Sequence, residues 1–385
     1  MIRGGFGIFY QPPFTESLGT LTNSGPFSPQ FILFGVPFDN PWVGMTNPFP
    51  ASYGPAVPGK DAKFDIPLAV FSLSDGWRPP RVATWNLAAE RQLTKDVLLR
   101  VAYAASKGTF LGYNPDLNPA VYGPGATTGN TQARRPNQTF QQIIEDVSGA
   151  NSIYNSLQVS LEKRFSNGFN VTANYTFGKT LDEVSFLTDT CSTNVINPYN
   201  IRAYRGVSDY NVPQRLVLNY LWQLPAPKEN AVLRNLLGNW QTTGIWNWQS
   251  GFPLTLSSGE DDSLSGVGSD SADVVSKPSL TSGSRGQQIA RWFTTESFKT
   301  AAIGTFGNAG RNILPGPGTF NLDFSIQRVF AIRERAKLQF RAEFFNGLNH
   351  PLLNNPNTTV ISSNFGRITG ARDPRILQLA LKLRF

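Results

Sequence analysis

The sequence predicts an all-β chain whose strands form an antiparallel transmembrane β-barrel. Three observations lead there. Apolar and polar residues alternate in segments of about ten residues, the length of a tilted membrane-crossing strand. The connections between these segments are alternately short and long. The composition is poor in charge and rich in turn formers and aromatic residues. Of 385 residues, 16% are charged and 12% are aromatic, with 35 Gly and 28 Pro. Glycine and proline punctuate turns and aromatic side chains favour strands, which disfavours a helical protein. A mean hydropathy of −0.23 resembles that of a water-soluble chain, but alternating lipid-facing and lumen-facing residues average to such a value in a barrel.

The alternation is cleanest at the C-terminus. Leu377, Leu379, Leu381, Leu383 and Phe385 share one face, and Gln378, Ala380, Lys382 and Arg384 the other. Residues 169–178 set Phe169, Val171, Ala173, Tyr175 and Phe177 against Asn170, Thr172, Asn174, Thr176 and Gly178. Before them, Leu157, Val159, Leu161 and Phe165 oppose Gln158, Ser160, Glu162 and Arg164; later, Phe320, Leu322, Phe324 and Ile326 oppose Asn321, Asp323, Ser325 and Gln327. Further segments lie near 2–10, 82–93, 97–105, 214–224, 239–250 and 337–348, about ten strands in all.

Short links fall at 94–96, Ser166-Asn167-Gly168 and 331–336, and long ones at 11–81, 106–152, 181–213, 251–318 and 349–374. Asn167-Gly168 is a hairpin signal because both residues tolerate positive φ. The link 225–238, with Pro225 and Pro227, is intermediate. Outer-membrane barrels combine short periplasmic turns with longer extracellular loops. On that count the last strand runs down to the periplasm.

Charge and aromatic placement test the membrane reading. Arg91, Lys163 and Arg328 have the parity of the apolar face. A basic residue there costs about 2–4 kcal/mol at the midplane and about 0–1 near an interface. All three lie close to a short turn, where they can snorkel. Trp240, Trp246 and Trp248 share one face, and Tyr220 and Trp222 extend it on the preceding strand. Trp240 and Trp248 stand about 26 Å apart along a strand, or some 20 Å in height after tilting, close to the separation of two aromatic girdles.

Composition also excludes function classes. One cysteine, Cys191, and one histidine, His350, rule out an intramolecular disulfide and the common Cys/His metal sites. His350 sits in the loop-like Asn349-His350-Pro351 with no recognisable triad motif. There is no Walker loop, nucleophile elbow or assignable catalytic carboxylate pair, so the sequence points to no enzyme and no cofactor. The net charge of +8 is not gathered into a basic run, which argues against nucleic acid. Residues 1–10 lack the features of a signal peptide, and no apolar stretch reaches the ~18 residues of a membrane helix. The expectation is therefore a partial barrel domain over 1–385, without plug or signal peptide.

Several runs resemble the C-terminal barrel of TonB-dependent outer-membrane receptors, specifically the Oar-like subgroup that often carries a carboxypeptidase-regulatory-like domain. They are Ile2-Arg3-Gly4-Gly5-Phe6-Gly7-Ile8-Phe9-Tyr10, Tyr154-Asn155-Ser156-Leu157-Gln158 and Asn174-Tyr175-Thr176-Phe177-Gly178-Lys179, followed by Phe306-Gly307-Asn308-Ala309-Gly310-Arg311-Asn312, Arg341-Ala342-Glu343-Phe344-Phe345-Asn346 and the Leu377–Phe385 strand. The resemblance covers most of the chain. It implies an integral protein of the Gram-negative outer membrane that receives or transports a ligand gripped by its extracellular loops. Such receptors have barrels of about 22 strands with a plugged lumen. The family's plug, its TonB-contacting segment and its first strands have no counterpart here, so TonB would be reached only through a missing N-terminal region, and transport by this chain alone is not expected. The alternative is a structural or adhesive barrel that displays loops without transport.

The resemblance further casts Leu377, Leu379, Leu381, Leu383 and Phe385 as the insertion signal read by the barrel-assembly machinery. Tyr220, Trp222, Trp240, Trp246 and Trp248 become an aromatic girdle against outer-membrane lipid. Arg100, Glu162, Arg164, Arg215, Asp323, Arg341 and Glu343, with Lys382 and Arg384, become lumen-facing polar residues that pair with one another and with a plug. The stretch Gly259-Glu260-Asp261-Asp262-Ser263 through Ser269-Asp270-Ser271 has oxygen ligands enough for calcium but not the EF-hand spacing. It reads first as a solvated acidic loop.

Overall fold

The computed structural model describes residues 1–12, 36–44, 66–185, 195–226, 238–332 and 336–385; Cys191 lies outside them. Ten strands follow one another as antiparallel neighbours in a single sheet. They are β1 (Ile2–Tyr10), β2 (Arg81–Thr94), β3 (Val97–Tyr113), β4 (Phe140–Ser166), β5 (Phe169–Asp182), β6 (Gln214–Gln223), β7 (Trp240–Gln249), β8 (Thr319–Ala331), β9 (Lys337–Phe345) and β10 (Ile376–Arg384). Each corresponds to a segment of alternating sequence.

The register carries the alternation across the whole sheet. One column runs Phe6, Trp85, Ala105, Asn155 and Lys179. Another runs Leu87, Tyr103, Leu157 and Phe177, and a third Leu218, Trp246 and Leu322. Phe324, Phe344 and Leu377 continue the same face. A slip of one residue in any pair would turn a strand's apolar set to the other side. No such slip occurs within these columns. The opposite face pairs polar with polar, as in Asn321 with Asn247, Ser325 with Thr243 and Gln327 with Gln241.

The apolar face is not covered by protein: Leu381 is 69% and Leu379 64% accessible. A soluble sandwich would bury these side chains. Continuous apolar surface over many strands is stable only when lipid is the solvent. Basic residues on this face behave as the membrane reading requires. Lys163 Nζ reaches the turn, donating to Ser166 O at 3.2 Å, Ser166 Oγ at 2.9 Å and Phe169 O at 3.1 Å. The Arg328 guanidinium lies 4.4 Å from the Phe330 ring centroid and 5.8 Å from that of Trp240.

At one end of the sheet the links are short. Asn167 and Gly168 both have positive φ, 52° and 76°, as the predicted hairpin demands. At the other end three strands run longer than the sequence pattern suggests. β4 has 27 residues, roughly 90 Å when extended, far more than an apolar band of about 25 Å needs. Its upper part, 140–152, was expected as loop. The register shifts between Gly108 and Leu111, and above that bulge nothing selects apolar residues on one side. Strand pairing persists there while the sequence signal stops. A short strand, Leu68–Leu73, adds to this extension in parallel with β4.

Candidate functional site

The long connections do not hang separately above the sheet. Residues 250–318 and 351–371 pack around Leu254, Leu256, Ala272, Phe293, Phe298 and Leu314, with Trp292, Val360 and Phe365 against them. Phe293 is fully buried, and its ring meets Phe298 at 5.7 Å and Phe365 at 5.3 Å, edge to face. Backbone bonds tie the two segments together: Ser257 N donates to Thr358 O, Val360 N to Ser257 O and Trp292 N to Gly366 O. Among the described residues the packed apolar cluster thus sits in the loops, while the sheet leaves its apolar side uncovered.

Two arginine-centred networks join the remaining loops to this core. Arg311 is the larger hub. It donates to Glu183 O at 2.7 Å, Tyr204 O at 3.2 Å, Asp182 Oδ1 at 3.0 Å, Ser185 Oγ at 2.6 Å and Asp209 Oδ1 at 3.4 Å. Asn312 Nδ2 adds a bond to Val207 O at 2.7 Å. Together they fasten residues 183–185 and 204–209 to the core. Gly307 explains the start of the same motif: at φ 75°, a Cβ there would stand 2.0 Å from Ser271 O. The motif Phe306–Asn312 is therefore a clasp between loops.

The second network holds residues 114–139. Arg135 Nη1 meets the fully buried Asp116 Oδ2 at 3.1 Å. Asp116 Oδ1 accepts from Asn118 N at 2.8 Å and Ile143 N at 3.0 Å. Arg134 Nη2 then crosses to Leu264 O at 2.7 Å, beside a backbone bond from Ala120 N to Ser265 O. Sequence reasoning missed Asp116, Arg134, Arg135 and the partners of Arg311, because loops carry no periodicity from which to read neighbours. The one signal was the Phe306–Asn312 motif.

The acidic stretch belongs to this assembly, which corrects the expectation of a solvated loop. Asp262, Ser263, Ser265 and Asp270 are buried. Asp261 accepts from Ser265 N and Gly266 N, and Asp262 from Ala301 N. Asp270 takes the Ser263 N–H at 2.6 Å. Among the described residues, no group of three or more His, Cys, Asp or Glu side chains is disposed to hold a metal ion. Burial raises the Asp270 pKa to about 6; the Ser263 bonds oppose that and the charges of Asp261 and Asp262 add to it. A carboxyl raised in the folded state favours folding when protonated. Its contribution is complete below the ordinary carboxylate range and lost as pH rises through about 6. Thermal stability of the loop assembly, followed by Trp292 fluorescence, should fall between about pH 4 and pH 7. Asp270→Asn should flatten that fall, and parallel profiles would contradict the assignment.

The predicted lumen residues are distributed along the polar face. Asp323 and Glu343 line a concavity of ≈ 480 Å³ with Asn170, Asn219, Thr243 and Ser325. Asp323 Oδ1 accepts from Asn346 N at 2.7 Å, and Arg341 meets Glu343 at 3.3 Å. Arg100 lies further round the sheet, 3.5 Å from Glu90, which also faces Arg3 at 3.8 Å. Glu90 was missed, although its parity on β2 marks it. Glu162 stands opposite Thr172, and Arg215 opposite Gln249. Arg164 sits where β4 loses register beside the turn. Arg384 donates to Gln339 at 3.0 Å, and Lys382 pairs with Gln339 in register. These residues line one face without converging on one centre. His350 is a turn residue: its backbone is bonded twice to the Asn346 side chain, and its ring meets Phe320 at 5.4 Å.

The predicted girdle residues all fall on the apolar face. Trp240 lies opposite Arg328 near the turn end, and Trp246 and Trp248 lie opposite Leu322 and Phe320 towards the loops. Tyr220 stands over Gly244 and Trp222 beside Thr242. Leu377, Leu379, Leu381 and Leu383 point outward from β10, and Phe385 follows at 93% exposure.

A meander with one lipid-compatible face, a polar opposite face and turns segregated from loops is an integral β-barrel protein of the outer membrane. The family of outer membrane beta barrel domains matches residues 1–378, and the chain belongs to it. No curated protein matches the chain in sequence. Solved structures similar to it include the outer membrane transporter YddB from Escherichia coli, at 10% identity and TM-score 0.47, over 83% of this chain and 34% of that one. Another is the ferripyoverdine receptor of the outer membrane of Pseudomonas aeruginosa, at 10% identity and TM-score 0.41, over 79% and 27%. A third is the ferric-catecholate import receptor Fiu from E. coli K12, at 11% identity and TM-score 0.38, over 80% and 28%. The chain spans about a third or less of the length of these structures.

Proposed function

We propose that this chain is the C-terminal barrel portion of a TonB-dependent outer-membrane receptor, and that its clasped loops hold the ligand. The observation that carries the reading is the joining of the four described loops into one packed body above a polar, charge-bearing sheet face. A receptor needs such a body because binding specificity requires side chains held in place before the ligand arrives. On this reading Asp323 and Glu343 face a lumen-filling segment beyond the ten strands, and TonB acts through that segment, so the ten strands alone do not transport. The Leu377–Phe385 strand serves as the insertion signal for the barrel-assembly machinery.

The display reading has one observation in its favour: a loop body with its own core would also present a rigid surface. Antibody raised against residues 351–371 distinguishes the two in outer membranes of the source bacterium. Co-precipitation of TonB with the heat-modifiable, folded barrel supports the receptor. Recovery of the folded barrel without TonB, under conditions where a known receptor brings TonB down, would refute it in favour of display.

A further inference from the structure

Three carboxylates meet inside the loop body without a counter-cation. Among the described residues, no ion pair includes Asp261, Asp262 or Asp270. Hydrogen bonds satisfy the first two. Asp261 accepts from the Ser263 hydroxyl and from the Ser265 and Gly266 amides, and Asp262 from the Ser258 hydroxyl and the Ala301 amide. Asp270 differs. It is fully buried, one of its oxygens takes the Ser263 amide, and the other, Oδ1, has no hydrogen-bond partner. An ionised carboxylate so placed suffers both desolvation and the repulsion of its two neighbours. A proton on Oδ1 removes both.

The charged groups on the elements packed against this stretch do not offset the charge. Arg135, beside Gly266, is paired with Asp116, and Arg134, beside Leu264, is bonded to backbone oxygens. Burial raises the Tyr204 pKa and the Asp270 charge adds to that rise. Arg311, which acts on Tyr204 in the opposite sense, is bound to Asp182 and Asp209.

The acidic stretch supports an exposed surface where three loops meet. Asp262 accepts from the Ala301 and Gly304 amides, and Phe306 O accepts from the Ser271 amide. On the turn held this way, Tyr122 lies so close to Gly304 that a Cβ there would stand 2.5 Å from its ring. Tyr199 meets the Phe306 ring at 6.4 Å. Tyr122, Tyr199 and Ile303 are all exposed. Aromatic side chains presented on a fixed support are suited to binding, because little freedom is lost when a ligand arrives.

We propose that Asp270 is a proton-operated latch for this surface. Protonated, it lets the acidic stretch pack beneath the turn Ala301–Phe306; ionised, it draws water into the stretch and frees the turn with the aromatic side chains it carries. The proposal rests on the reading that the clasped loops hold the ligand, and adds that they hold it more firmly in acid surroundings. Loops at the extracellular end are bathed by the medium, so the latch responds to the pH outside the cell. The sign follows from the raised carboxyl: the open form ionises before the closed one does. The open fraction therefore climbs from about pH 4 and levels off above about pH 6.

Hydrogen exchange of the purified full chain in mild detergent, with each rate referred to the intrinsic rate at the same pH, reads the opening at the Ser263, Ala301 and Gly304 amides. Their protection should fall at least roughly tenfold between about pH 4.5 and pH 7.5, because a carboxyl raised from 3.8 to about 6 alters the equilibrium by roughly a hundredfold at its limit. Amides that pair β7 with β8 should stay protected throughout. Asp270→Asn should keep the high protection at neutral pH. Asp261→Asn, which removes one repelling charge, should move the midpoint to lower pH, and it decides the matter if Asp270→Asn fails to fold. Protection that is flat with pH in the unaltered chain, or the same pH profile in both variants as in that chain, would overturn the latch. The receptor reading stands or falls separately, on co-precipitation of TonB, which this pH profile does not measure.

Discussion

Replacing Arg311 with alanine is expected to release residues 183–185 and 204–209 from the loop assembly and to lower its local stability by about 3–5 kcal/mol, the usual cost of breaking a buried pair. The magnitude follows from what stays behind. Asp182 is 5% accessible and loses its guanidinium partner, and the Glu183 and Tyr204 carbonyls lose a donor. A buried group left unsatisfied suffers its full desolvation penalty. Asp209→Asn provides the contrast, because that carboxylate is 55% exposed and an exposed pair contributes less than about 1 kcal/mol. Hydrogen exchange reads the difference at the Ser208 and Asn211 amides, which are bonded to Thr180 O and Ser208 O. Exchange there should accelerate at least roughly a hundredfold in Arg311→Ala if opening is local and only slightly in Asp209→Asn. Equal changes in the two variants would mean that the clasp is idle. Because β8 and β9 lie outside this network, heat-modifiable migration of the barrel should persist.

Phe324→Arg and Ser325→Arg, one residue apart on β8, should differ by several kcal/mol. Phe324 faces outward and stacks on Phe344 with centroids 4.6 Å apart and planes at 7°. An arginine there would stand in the apolar band, where it costs about 2–4 kcal/mol near the midplane, and the stacked pair, about 0.5–1.5 kcal/mol, would be lost as well. Ser325 faces the other way, bonded to Thr243 Oγ1 at 2.8 Å and opposite Glu343 in register. An arginine at 325 meets a carboxylate and water, so its effect should stay within about 1 kcal/mol. Urea unfolding in lipid vesicles measures both. If the two variants were equally destabilised, the assignment of faces would be wrong for β8, and through the register for its neighbours.

All ten strands of the meander were legible in the sequence because lipid on one side and water on the other impose a period of two wherever both are present. The Asn167-Gly168 turn was legible for a local reason, since both residues had to adopt positive φ. The snorkelling of Lys163 and Arg328 could be anticipated from parity and distance to a turn. Legibility ended at the membrane boundary. Above the bulge near Gly108, β4 continues as a strand, yet water on both sides removes the selection that made the lower part readable. In the acidic stretch the composition itself misled: Asp261, Asp262 and Asp270 suggested solvent, while their bonds to Ser263, Ser265, Gly266 and Ala301 show an interior.

The sequence by itself determined the class of fold, the ten strands of the meander, their sense and, below the bulge, the face each residue occupies. These depend only on period, parity and loop length, which are properties of a line. Only the tertiary structure decided which loops touch. The contacts of Arg311 with Asp182 and Ser185 span 129 and 126 residues, and that of Arg134 with Leu264 spans 130. No local pattern encodes such pairings, because each partner is chosen by burial and hydrogen-bond geometry that exist only once the sheet has brought the loops to one end.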